Sequence, residues 1–414
     1  MVPTATESLA VTGIGCISGF GVGTSAFERG LFDGLRAYAP VTAFDTSAAH
    51  AHAAGHLDDF DPATLIAPAK LRRMDRVGQL AVAACRLALE DARLADTPAV
   101  DANEIGIALG TETAGIHSLV GYLDRLFDEG PLGASALDFS NTVGNAAASL
   151  CGIEFGLRGI NVTLASREAS ALAAITHAAS VLRAGRGRAV VTGGVDDFER
   201  LYFEVHDRFR ALATDEGAGE ASRPFDRRRN GFVLGCGAFL LVLESPRSAA
   251  SRAATPLAFI SGVGATASSC NMHEWPSDPA QLVRCMRGAL DDAHVTPQDV
   301  SVVFASANST QGLDRVEAQA IAEVFGPAAV PVSAVKGALG ECGASAGAAV
   351  VAAILSLRSK QVPPTAGFEV ADPDCRVDVA ATTRPIESAN GSVALVNGFA
   401  RGGANFSLVV KHER

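Results

Sequence analysis

A set of short apolar runs that recurs in the same order along the chain restricts the fold more than any other feature. Residues 10–15, AVTGIG, resemble residues 259–264, FISGVG, each an apolar run entering a Gly-x-Gly turn. IGIALGTET (105–113) is matched by VSVVFASANST (300–310), and GRAVVTGGV (187–195) by GSVALVNGF (391–399). Runs rich in Val and Ile, without polar alternation, predict strands buried on both faces. Between them lie Ala-rich stretches, Leu164 to Ala184 and Ala344 to Ser359, that are apolar nearly all round. Helices of that kind belong between sheets rather than at the surface. A duplicated α/β unit with central buried helices implies five layers, αβαβα. Pro, Ser and charge replace the apolar pattern at 246–256, PRSAASRAATP, which divides the chain into halves over 1–250 and 251–414. The alternative is an ordinary doubly wound α/β protein whose repeats are accidental.

Composition narrows the partners. Hydrophobic residues make up 48% of the 414 and charged residues 19%. A compact α/β core accounts for that excess, and so does an extensive subunit interface. A net charge of −11 argues against nucleic acid and anionic membrane. The longest apolar runs, such as Ala344 to Leu357, are shorter than the roughly 18 residues that a spanning helix needs. Glu7 and the lack of a basic segment give no sign of a secretion signal, so the expected location is the cytoplasm.

Eight cysteines, without CxxC or zinc-type spacing, are expected as buried reduced thiols. His50, His52 and His56 form an HxHxxxH stretch in an Ala-rich segment, read as surface rather than metal site. His117 and His177 are read as polar helix residues. Gly13 and Gly15 lack the third glycine and downstream acid of a dinucleotide fingerprint. No metal or cofactor is expected.

Four longer motifs carry a resemblance. SRPFDRRRNGFVLGCGAFLLVLE (222–244) and NGFARGGANFSLVV (397–410) occur with AVTGIGCISGFG (10–21) and SNTVGNAAASLCGIEFGLRG (140–159). Their content, order and spacing resemble the ketosynthase family over essentially the whole chain. The resemblance implies the thiolase fold, with duplicated αβαβα halves, and a dimer. On physical grounds alone, Asp226 is placed to hold its turn through nearby amides. Gly402 and Gly403 allow a close backbone approach.

In an active ketosynthase a Cys at a strand-to-helix elbow is the nucleophile, where the helix N-terminus favours the thiolate. Two His and a Lys complete the site, and backbone amides at the nucleophile and the C-terminal glycine loop form the oxyanion hole. The matching segments here read differently. TLASREASALAAI (163–175) puts Glu168 at the Cys position. Counting 11 back from Glu317 of DRVEA puts Ser306 at the first His. KGALGECGASAG keeps Lys336 but puts Glu341 at the second His. Arg401 stands where active relatives place a Phe that gates acyl entry.

A carboxylate at 168 would form a readily hydrolysed anhydride. The resemblance therefore implies a chain-length factor, the beta subunit of a type II polyketide ketosynthase, without condensing activity of its own. Its implied partners are an active ketosynthase subunit, the growing polyketide chain and, through the complex, an acyl carrier protein. The commonest pattern among chain-length factors has Gln where this chain has Glu168, which leaves the pathway open between aromatic and reduced polyene products. Further alternatives are a malonyl-thioester decarboxylase, an acid–base enzyme using Glu168 and Glu341, and a homodimeric scaffold.

By the same resemblance, Ile116, Leu119, Val120 and Leu123 line the distal acyl tunnel, or else are simply core. Val162 and Thr163, in the strand before the elbow, belong to the dimer interface. Glu168 is expected to pair with Arg401 or Lys336 and to fill the space of an acyl-thioester.

Overall fold

The computed structural model describes residues 7–57, 59–94, 100–386 and 392–413. Gly391, which opens one of the paired runs, lies outside them. The first half supplies β1 (Leu9–Ser18), α1 (Arg76–Asp91), β2 (Ile105–Gly110), α2 (Ile116–Glu129) and α3 (Ala146–Phe155). It continues with β3 (Asn161–Leu164), α4 (Ser170–Arg183), β4 (Ala189–Asp196), α5 (Arg200–Arg208) and β5 (Gly237–Glu244). The second half supplies β6 (Ala258–Ala267), α6 (Ala280–Asp292), β7 (Val302–Phe304), α7 (Gln311–Phe325), β8 (Pro331–Ser333) and α8 (Ser345–Ser359). A two-residue strand β9 (Asp378–Val379), β10 (Val393–Phe399) and β11 (Ala404–Lys411) close the chain.

The sheet order proves the repeat. The first half runs β1-β5-β4-β2-β3 and the second β6-β11-β10-β7-β8, with equivalent strands at equivalent places. β9 adds to the outer edge of β8. The two sheets also join edge to edge, because Leu9, Ala10 and Val11 of β1 pair with Ile260, Phe259 and Ala258 of β6.

Helices α4 and α8 lie between the sheets and touch strands of both. Every residue of α8 from Ser345 to Leu357 is buried, as an all-apolar helix requires. α1 and α3 cover the outer face of the first sheet. α6 and α7 cover that of the second. This is the five-layered thiolase arrangement.

The two Gly-x-Gly runs have the same mechanical cause. A Cβ at Gly15 would stand 1.9 Å from the Ala84 carbonyl oxygen of α1, and one at Gly264 2.1 Å from that of Cys285 in α6. Strand and helix approach too closely for a side chain, so these glycines serve packing. None of the eight cysteines forms a disulfide, and Cys270 alone is not buried.

One boundary differs from expectation. The stretch from Leu164 to Ala184 is not a single helix: Leu164 ends β3, and α4 starts only at Ser170. Residues 165–169 turn the chain from strand to helix, and that turn carries the site.

Candidate functional site

The turn is tight. Arg167 sits at φ +50°, in the left-handed region that a residue with a Cβ rarely adopts. A single turn of 3-10 helix over Arg167–Ala169 then runs into α4. Ser170 fastens it, since its hydroxyl donates to the Arg167 carbonyl (2.6 Å) and accepts from the Ser166 amide (2.9 Å). The strained elbow thus carries the Glu168 carboxylate at the turn from strand to helix.

Glu168 is completely buried. Its Oε1 accepts from Arg401 Nε at 2.6 Å, and its Oε2 from the Arg401 backbone amide at 3.2 Å. The acid therefore also takes an amide of the C-terminal glycine loop, where the resemblance places part of the oxyanion hole. The loop holds this shape because Gly403, at φ +91°, passes 2.1 Å (measured from a would-be Cβ) from the Ser268 carbonyl oxygen. Arg401 is further enclosed by Phe232 and Trp275, whose ring centroids lie 5.6 and 6.0 Å from its guanidinium carbon.

The second pair forms beside the first. Lys336 Nζ donates to Glu341 Oε2 at 2.8 Å, and both residues are buried. Asn308 Nδ2 reaches the same oxygen at 2.9 Å. Burial, opposed by Lys336 and reinforced by Glu168, pushes the Glu341 carboxyl up to about 7. Ser306 Oγ lies 3.4 Å from Lys336 Nζ and accepts from the Phe399 amide at 2.9 Å. Glu317 holds the Ser306 amide at 2.9 Å. Glu168, Ser306, Lys336, Glu341 and Arg401 therefore converge as expected, with Glu168 choosing Arg401 rather than Lys336.

Three further groups enter the site that sequence reasoning missed. Tyr202 of α5 donates its hydroxyl to Glu112 Oε1. His206, one turn on, donates from Nδ1 to the Tyr202 carbonyl (2.8 Å) and accepts at Nε2 from Arg401 Nη2 (3.0 Å). Accepting at Nε2 requires a neutral ring, and burial, together with Arg401, lowers its titration to about 4. Glu112 had a usable signal, since it follows directly on β2 at the strand end that faces the elbow. Tyr202 and His206 had none, because the helix reaches the site from a part of the chain without a motif.

Residues 6–249 match the family model described as the beta-ketoacyl synthase N-terminal domain, and residues 257–369 match its C-terminal counterpart. The chain belongs to the beta-ketoacyl synthase family. A 3-oxoacyl-[acyl-carrier-protein] synthase 2 of Synechocystis is 32% identical over 411 residues, covering 98% of each chain. One from Coxiella burnetii is 31% identical, over 97% of this chain and 98% of its own. Among solved structures, the ishigamide ketosynthase/chain length factor superposes with a TM-score of 0.91 at 29% identity, covering 99% of this chain and 100% of that one.

Elsewhere in this beta-ketoacyl synthase family chain, the remaining candidate residues are exposed or half-buried. No residue of α2 is buried, so Ile116, Val120 and Leu123 are half-exposed and Leu119 is exposed. The reading of that face as core of this chain is thereby overturned. Its neighbours Phe127, Leu132, Leu137, Phe139 and Val143 are exposed too. Val162 and Thr163 are half-buried on β3, the outermost strand of its sheet.

The other expectations resolve locally. Asp226 holds its own turn at the Arg228 amide (2.9 Å), and also ties it to the Glu369 and Val370 amides (2.7 Å each). His50 lies 3.1 Å from Asp207. His117 lies 3.1 Å from Glu199. Among the described residues no helix is long and apolar enough to cross a membrane.

Proposed function

We propose that this chain is a non-catalytic subunit of the chain-length-factor type, which pairs with an active ketosynthase and bounds the tunnel of a growing polyketide. The observation that carries this reading is the Glu168–Arg401 pair. It fills the nucleophile position with a carboxylate and occupies an amide that an oxyanion would need. Ser306 and Glu341 leave no imidazole at the two positions that would polarise a malonyl thioester. His206 does not replace them, since its Nε2 is committed to Arg401.

The open apolar side supports a partner. An unpaired edge strand next to exposed Leu, Phe and Val side chains invites association. Two chemically inert subunits would have no use for an acyl tunnel, so the partner is taken to be the active one. An acyl carrier protein would then reach this chain through the complex.

The names of the bacterial relatives favour a second reading, a condensing enzyme. That reading requires a nucleophile and a proton donor at positions where this chain carries Glu168, Ser306 and Glu341. The deciding experiment is co-expression with candidate ketosynthase subunits, followed by native mass spectrometry and an assay with malonyl-carrier protein. The proposal expects a one-to-one heterodimer that is active only when both chains are present. Carbon dioxide release or condensation by this chain alone would refute it.

A further inference from the structure

We propose that Glu112 stands as a neutral, protonated acid at neutral pH beside the Glu168–Arg401 pair. The argument starts from charge. Four carboxyl groups, Glu112, Glu168, Asp196 and Glu341, gather at the degenerate site against two cations, Lys336 and Arg401. Arg401 neutralises Glu168 and Lys336 neutralises Glu341.

Asp196 needs no cation. Its Oδ1 accepts from the Thr111 hydroxyl and the Glu112 and Thr113 amides at 2.8 Å each, and from the Thr113 hydroxyl at 2.9 Å. Such donors hold a carboxylate in its charged form. Glu112 has a single donor where Asp196 has four. Its carboxyl meets the Tyr202 hydroxyl, and among the described residues no cation is paired with it.

Of the groups packed around Glu112, three acids raise the cost of a charge there, while the Tyr202 hydroxyl and the Arg401 already paired with Glu168 lower it. Glu168 comes from the elbow, Asp196 from the end of β4, Glu341 from the loop before α8, and Tyr202 from α5. Gly343 closes the remaining side: a Cβ on it would lie 3.0 Å from Glu112 Cβ and 2.8 Å from Asp196 Oδ2. That second oxygen of Asp196 has no hydrogen-bond partner, so charge is already under-compensated here. A fourth anion in this cluster costs more than keeping the proton. In agreement, burial and then the Glu168 charge push the Glu112 carboxyl well above its ordinary range.

The proton has a thermodynamic signature. A folded state that keeps a proton which the unfolded chain has released loses stability as pH rises above the ordinary Glu range. One retained proton lowers the folding constant about tenfold per pH unit. Glu341 and Glu317, each pushed up to about 7 mainly by burial, add the same sign until they ionise. The contribution of Glu112 is therefore read as a difference.

Glu112→Gln preserves the contact with Tyr202 and removes the titration. Between about pH 6 and about pH 9 the variant should escape most of that about tenfold loss per unit, so its melting curve against pH runs flatter than that of the unmodified chain. Parallel curves would overturn the proposal. Should the variant not fold, infrared titration of the unmodified protein decides. A carboxylic-acid carbonyl band that persists at about pH 8, after Glu341 and Glu317 have mostly ionised, is the expected result. Loss of all such bands by that pH would overturn it. Both measurements use the chain alone, so their outcome is independent of whether it pairs with a ketosynthase.

Discussion

Glu168 and Arg401 stand 233 positions apart in the chain, yet their side chains meet at 2.6 Å. One residue ends the first half's elbow, and the other opens the glycine loop between β10 and β11. Their pairing binds the two repeats at the point where an active relative would hold its substrate. The site thus serves the fold by joining its two halves.

Glu168→Ala should cost about 3 kcal/mol of stability, because it leaves the Arg401 guanidinium buried without a counter-charge. Urea denaturation measures the loss. Adding Arg401→Leu should recover most of it, because an apolar pair demands no neutralisation. A single variant as stable as the parent would remove the plug from the account.

Restoring the thiol alone should not restore chemistry. Glu168→Cys is expected to show no condensation with malonyl-carrier protein, since Ser306 and Glu341 supply no imidazole. The variant also frees Arg401, whose charge would oppose entry of an apolar acyl chain. Turnover by the single variant would show that the two histidine positions are dispensable.

Val162→Asp should dissociate the heterodimer while leaving each chain folded. β3 is the outermost strand of its sheet, so an unpaired carboxylate there is harmless in solution and costly in an interface core. Size-exclusion chromatography with circular dichroism separates the two effects. An intact complex would place the interface on a different surface.

Leu123→Trp on α2 should shorten the product of the assembled complex, since the larger side chain occupies tunnel length. Mass spectrometry of released chains reads it directly. The same product from a stable variant complex would mean that this face packs against the partner without lining the tunnel.

Much of the architecture was legible because it depends on local pattern. Val- and Ile-rich runs at matched intervals gave the strands, and the Gly-x-Gly turns marked where each outer helix presses on its sheet. The elbow was less legible: apolar residues from Leu164 onward continue a helical pattern, and only the strain at Arg167 shows where the chain turns. Motif spacing sufficed to identify Glu168, Ser306, Lys336, Glu341 and Arg401 as one group, because each lies at a fixed distance from residues that the fold requires.

The sequence by itself determined the duplicated αβαβα fold and, through its resemblance to ketosynthases, pointed to Glu168, Ser306, Lys336, Glu341 and Arg401. Periodicity and residue identity are properties of the chain in one dimension. The tertiary structure alone decided that Arg401, and not Lys336, takes Glu168, and that Glu112, Tyr202 and His206 complete the site. It also decided that α2 leaves its apolar face open. Those outcomes depend on distances between segments far apart in the chain, and on how many charges share one volume with so little water. No count along the sequence contains either quantity.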